Sequence, residues 1–142
     1  MSKMKKYLFL LALAALLVLS QVAAERKEAS RVVHLTPDNF DNYVSTPQEK
    51  YVFVLYCVPW ASTCKTVIKL WDRLSMSQSR KRHRDVFIAA YVDGYKYPGL
   101  VARMNVSGYP YMRYYTPFEP EGFQYSGLRE LVLLESFVFQ FT

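Results

Sequence analysis

The 142-residue sequence is poor in metal-binding and redox side chains: two cysteines, Cys57 and Cys64, and two histidines, His34 and His83. His34 sits in a β-branched stretch and His83 in a basic run, so neither approaches a metal set or a cysteine–histidine dyad. The five glycines form no loop able to cradle a phosphate. No pair of acidic residues shares a helical face in the arrangement that acid–base hydrolysis needs. Metal-dependent, nucleotide-binding and hydrolytic chemistry are left without support, and no cofactor or metal is expected. Internal repeats and low-complexity tracts are lacking too. The longest apolar run, Tyr7 to Leu19, is 13 residues, against about 20 for a bilayer-spanning helix.

That run has a recognisable setting. Lys3, Lys5 and Lys6 precede it, and Val22-Ala23-Ala24 follows with the small residues that a signal peptidase requires. Cleavage after Ala24 is expected, the alternative being an uncleaved anchor. The expected organisation is a signal peptide at 1–24, a flexible lead at 25–31 and one domain at 32–142. Removing 24 of the 142 residues leaves 118, enough for a single core. The formal net charge of +6 includes the three leader lysines, so the remaining +3 does not argue for nucleic acid. A secretory route favours disulfides, but one possible bridge is no disulfide framework, so most stability must come from the core. The C-terminus, "FVFQFT", lacks the tetrapeptide used for retrieval to the endoplasmic reticulum. The expected location is therefore the endoplasmic reticulum lumen or the exterior, with nothing in the chain to retain it.

Hydrophobic periodicity orders the rest. Val32 to Leu35 reads as a short strand, then Thr36 as a helix N-cap with Pro37 at the first helical position. Tyr51 to Val58 is continuously apolar, as suits a central strand covered on both faces. Cys64, Val67, Ile68, Trp71 and Leu74 then fall on one helical stripe, with Cys64 in the first turn or so. Val86 to Val92 is a further strand, and strand–helix–strand in this order predicts a right-handed crossover between parallel strands. A brief helix is expected over Pro98 to Met104, a hairpin of Tyr111–Thr116 with Phe123–Tyr125 around the turn-rich "PFEPEG", and a last helix from Leu128 to about Phe139, capped by Ser126.

The order β α β α β α β β α, with "VPWASTCK" at a strand-to-helix junction and "NVSGYPYMRYY" later, resembles the thioredoxin superfamily, most closely an a-type domain of protein disulfide isomerase. The likeness extends over about residues 32 to 139. It implies a thioredoxin fold, a central mixed β-sheet flanked by helices on both faces. It also implies a cis peptide bond before Pro110, and a client-peptide groove bordered by Trp60, Tyr109 and Pro110.

The departures from the family pattern lie where its chemistry lies. Pro59, Trp60, Cys64 and Lys65 match, but Ala61 stands at the attacking cysteine, Cys57 at an aromatic position, and Leu55 at a buried carboxylate that assists proton transfer. A methyl cannot attack a disulfide, and no sulfur three residues earlier can resolve a mixed disulfide with Cys64. The two-electron dithiol cycle is thus unavailable at the motif, which argues against an ordinary enzyme. Three states are open for the cysteines, taken in this order: two buried free thiols, a structural Cys57–Cys64 bridge, and a redox-active bridge. A monothiol role for Cys64 stands against its being a small buried hydrophobe.

The leading expectation is a secretory-pathway protein similar to protein disulfide isomerase that binds unfolded or extended polypeptide as a chaperone-like or adaptor module. The alternative is an atypical oxidoreductase or isomerase working through Cys64 alone or with Cys57. A third class would act on polyanions through Arg80, Lys81, Arg82 and Arg84, set against a solvated basic loop. Asn105-Val106-Ser107 is a glycosylation sequon just before Tyr109-Pro110.

Overall fold

A computed structural model describes residues 2–24, 29–45 and 49–142. The N-terminal apolar segment forms α1 (Lys3–Ala24), and the side chains from Ser2 to Ser20 are all exposed. Among the described residues no helix is long and apolar enough to cross a membrane. The expected cleavage point after Ala24 borders residues 25–28, which, with most of the expected lead, lie outside the described residues. The described end of that lead is tied down: Ser30 donates to Asp72 at 2.6 Å, and the Arg31 N–H donates to Ser75 at 3.3 Å.

The apolar run predicted to be a central strand is β2 (Tyr51–Cys57), and all of it after Tyr51 is buried. It lies in the middle of a five-stranded sheet ordered β1-β3-β2-β4-β5. β1 (Val33–Leu35) and β2 both run parallel to β3 (Phe87–Asp93). β4 (Tyr111–Thr116) runs antiparallel to β2, and β5 (Glu119–Tyr125) antiparallel to β4.

Strand parity splits the core in two. Phe53, Leu55 and Cys57 face α3 (Ser62–Ser79) and α5 (Leu131–Phe141), where they pack with Cys64, Val67, Trp71, Leu74, Leu134 and Val138. Val52, Val54 and Tyr56 face the other way, against Phe40 and Val44 of α2 (Phe40–Val44) and Leu100 and Val101 of α4 (Pro98–Arg103). Helices therefore cover both faces of a mixed sheet. Trp71 locks α3 onto the sheet: its ring meets Phe53 at 4.6 Å and its indole N–H donates to the Ala90 carbonyl at 2.8 Å.

Three boundaries differ from expectation. The first turn after β1 does open at Thr36, whose carbonyl accepts the Phe40 N–H at 2.9 Å, but its hydroxyl is not the cap. Instead the Asn39 side chain accepts the Thr36 N–H at 2.7 Å, and the regular helix begins only at Phe40. In the hairpin, Thr116 Oγ1 accepts the N–H groups of Phe118 and Glu119, tightening the reversal so that β5 starts at Glu119 within the stretch expected to be turn. Residue 122 has a φ of +68°, and a Cβ there would lie 2.7 Å from the Tyr115 ring, so glycine alone suits it. Finally, α5 starts at Leu131 behind Glu130 rather than behind Ser126, because Tyr125 donates to the Leu128 carbonyl at 2.8 Å and holds the intervening chain outside the helix.

Candidate functional site

β2 ends and α3 begins within five residues, and this junction carries the motif. Cys57 is the last residue of β2 and faces α3, while Cys64 is on the buried stripe of α3 in its first turn. Those two positions converge: the Cα atoms are 5.7 Å apart and the sulfurs are bonded. The sequence put two free thiols first, and the structure corrects that order. Parity of the strand and the helical stripe aim both side chains into the same layer. Both cysteines are fully buried, and the Val58 N–H donates to Cys64 Sγ at 3.3 Å. No free cysteine occurs among the described residues.

Ala61 is the N-cap of α3, with extended backbone (φ −72°, ψ 134°) and no side chain to cap the helix. A thiolate at this point would be stabilised by the free N–H groups of the first turn, but Ala61 offers a methyl group in its place. Leu55, where the family places a carboxylate, is wholly buried beneath this junction in the α3-side core. Ala61 and Leu55 thus stand where the family pattern has its attacking thiol and its buried carboxylate, and Cys64 is held in the bridge.

The surface around the junction is better furnished. The Tyr109-Pro110 bond is cis. Trp60 is 65% exposed and its ring meets Tyr95 edge-on at 6.4 Å. Tyr109, 38% exposed, lies across Gly94 so closely that a Cβ there would come within 2.3 Å of its hydroxyl. The motif tryptophan and the cis-proline loop thus meet the same short turn, residues 93–95. That turn is held by Asp93, whose carboxylate accepts the N–H groups of Tyr95 and Lys96 at 3.0 Å each, and by the Gly94 N–H, which donates to the Cys57 carbonyl at 2.8 Å. Burial, with the Asp93 charge in second place, raises the Tyr109 hydroxyl above its usual range and pushes Tyr91 up to about 12. Both phenols are neutral donors at physiological pH.

Trp60, through Tyr95, and Tyr109 with Pro110, through Gly94, meet in one neighbourhood. Tyr95 and Gly94 complete it and were missed; the signal available was the Asp93-Gly94 turn at the end of a strand. Arg113 steadies the cis-proline loop from β4, donating to the Met104 carbonyl at 2.8 Å and to the Tyr111 hydroxyl at 2.7 Å. The basic run lies elsewhere, after α3. There Lys81 pairs with Glu135 of α5 at 3.4 Å and Arg84 with Asp85 at 3.6 Å, so part of its charge is compensated.

A family model described as thioredoxin matches residues 31–140. The chain belongs to the thioredoxin family. Within the family, its curated relatives include a thioredoxin domain-containing protein 5 homolog of Drosophila melanogaster, 30% identical over 132 residues covering 90% of this chain and 30% of that protein. Another is the protein disulfide-isomerase-like protein EhSep2 of Emiliania huxleyi, 32% identical over 123 residues, 87% of this chain and 54% of that protein. The chain thus spans between about a third and about half of these relatives. Among solved structures, human ERp44 superposes with a TM-score of 0.70 at 17% identity, over 79% of this chain and 29% of that one. The first thioredoxin domain of mouse protein disulfide-isomerase A4 does so with 0.66 at 23% identity, over 80% and 77%. The fold is the thioredoxin fold, and the chain is similar to protein disulfide isomerase-like proteins of this family.

Proposed function

We propose that this thioredoxin domain holds extended polypeptide in the secretory pathway and does not shuttle electrons. The observation that carries the reading is the state of Cys64: it is bonded to Cys57, fully buried, and preceded by Ala61 at the helix start. Exchange needs a thiolate able to reach a client sulfur, and neither an attacking nor a resolving thiol is presented. The monothiol alternative loses its thiol to the same bridge. A redox-active bridge is disfavoured because an incoming thiolate would have to enter the core. What remains is an aromatic border, Trp60, Tyr95 and Tyr109, beside the backbone of the cis-proline loop, the surface on which an extended peptide adds its own hydrogen bonds. The basic leader and its apolar run support entry into the secretory pathway.

The test is a titration of the mature domain with an unstructured, cysteine-free peptide, followed by tryptophan fluorescence. Trp60 is exposed and Trp71 buried, so the change reports on the site. A saturable response that is lost in Trp60→Phe and weakened in Tyr109→Ala is expected; no response up to millimolar peptide overturns the proposal. In parallel, insulin reduction should not exceed that of a Cys57→Ala/Cys64→Ala variant. Turnover comparable to an intact dithiol relative would refute the loss of redox function.

A further inference from the structure

We propose that Asn105 carries an N-linked oligosaccharide, and that this sugar crowds the approach to the cis-proline loop. The first half stands on the sequon and its placement. Asn105 and Ser107 are both exposed, and Val106 between them is only partly buried. Asn105 follows α4 in the left-handed region, with φ of +53°. Its N–H donates to the Ala102 carbonyl at 3.1 Å and the Val106 N–H to the Val101 carbonyl at 3.2 Å, closing the helix end through the backbone. The turn thereby consumes main-chain groups and leaves the Asn105 side chain on the surface. A Cβ added at Gly108 would meet nothing within 4 Å, so the flank after the sequon is open.

An asparagine here has a rival explanation, since it is the residue after glycine that best tolerates a left-handed helix end. That role explains Asn105 and makes no use of Ser107. The sequon requires both, and a permitted residue between them. Attachment would occur as the chain enters the lumen, from a lipid-pyrophosphate-linked oligosaccharide. The Asn105 Nδ2 forms a bond to the anomeric carbon, the bond from that carbon to the pyrophosphate oxygen breaks, and the amide gives up one proton as the lipid pyrophosphate departs. No oxidant or reductant enters. Folding then tolerates the product because the acceptor faces solvent.

The second half rests on the peptide-holding reading given above. Tyr109 lies four positions after Asn105, a reach of at most about 14 Å of chain. A branched oligosaccharide anchored there extends past Tyr109, on the loop whose backbone the peptide would pair with. The sugar would limit which clients enter, favouring ends and narrow segments over folded or bulky ones.

The full chain, with its own leader, is expressed in cultured eukaryotic cells and compared with Ser107→Ala, which removes the sequon and keeps the Asn105 turn. Peptide-N-glycosidase F should collapse the wild type onto the mobility of Ser107→Ala and convert Asn105 to aspartate, read by mass spectrometry. Unshifted mobility, whether the chain is recovered inside protease-protected vesicles or outside them, overturns the proposal. Peptide titration before and after the glycosidase should show several-fold tighter binding once the sugar is gone. Equal affinity overturns the crowding and leaves the modification standing. Absence of binding in both forms, with the mobility shift present, overturns the peptide reading instead.

Discussion

Removing the Cys57–Cys64 bridge should cost this domain a large share of its stability. The perturbation is Cys57→Ala with Cys64→Ala. With a sequence separation of 7 between the two cysteines, the loss of loop-closure entropy from the unfolded chain amounts to about 2.4 kcal/mol at about 25 °C. Both sulfurs are fully buried, and alanine leaves a void where they were, adding about 1 kcal/mol. For a domain of about 110 residues, each kcal/mol moves Tm by about 4 °C, so the variant should melt about 14 °C below the wild type. Near-ultraviolet circular dichroism is a suitable probe, because Trp71 and Phe53 pack in the same layer as the bridge. The bridge should also resist reductant in the folded protein and yield two thiols only when denaturant is added. A variant melting within about 2 °C of the wild type, or a thiol alkylated in the native oxidised protein, would refute this reasoning.

Three further outcomes are expected. Ala61→Cys should present one accessible thiol per chain, with its pKa lowered by the free N–H groups of α3, and still give no insulin-reduction turnover because Cys64 is occupied; label found on Cys57 instead would show that the new thiol had displaced it. Arg113→Leu removes the bonds to Met104 and Tyr111 and should lower the unfolding free energy by about 1 to 2 kcal/mol, with an unchanged urea midpoint counting against the loop-bracing role. Tyr56, Tyr114 and Tyr115 are raised above the ordinary phenol value chiefly by burial, as is Tyr91, at about 12. The fold favours their neutral forms, so this stabilisation is whole below about pH 10 and is lost as pH rises through the folded-state values. Spectrophotometric titration should find a set of tyrosines ionising late and together with unfolding; ionisation of all twelve near the ordinary value would refute it.

Much of this architecture could be read from the chain because its two central elements are unambiguous. A seven-residue apolar strand without polar alternation has to be covered twice, and a stripe through Cys64, Val67, Trp71 and Leu74 has to be a helix lying on one of those faces. The edges were less legible. Tyr125 and Thr116 reset the start of α5 and of β5 through hydrogen bonds between a side chain and the nearby backbone, which periodicity does not register. The cysteine pairing was hidden for a different reason. Parity put Cys57 on the face of Leu55, but whether the loop from Val58 to Ala61 brings the next helix within bonding reach depends on three-dimensional closure. Tyr95 escaped notice because its place beside Trp60 is set by the Asp93 turn and not by any spacing in the motif.

The outer strand β5 opens with Glu119, Pro120 and Glu121, all exposed. A neighbouring chain that tried to extend the sheet there would meet two carboxylates and a residue with no N–H to offer. Edge-to-edge addition of another strand is consequently disfavoured at this end of the sheet, where an unguarded rim would offer a template for fibrous stacking.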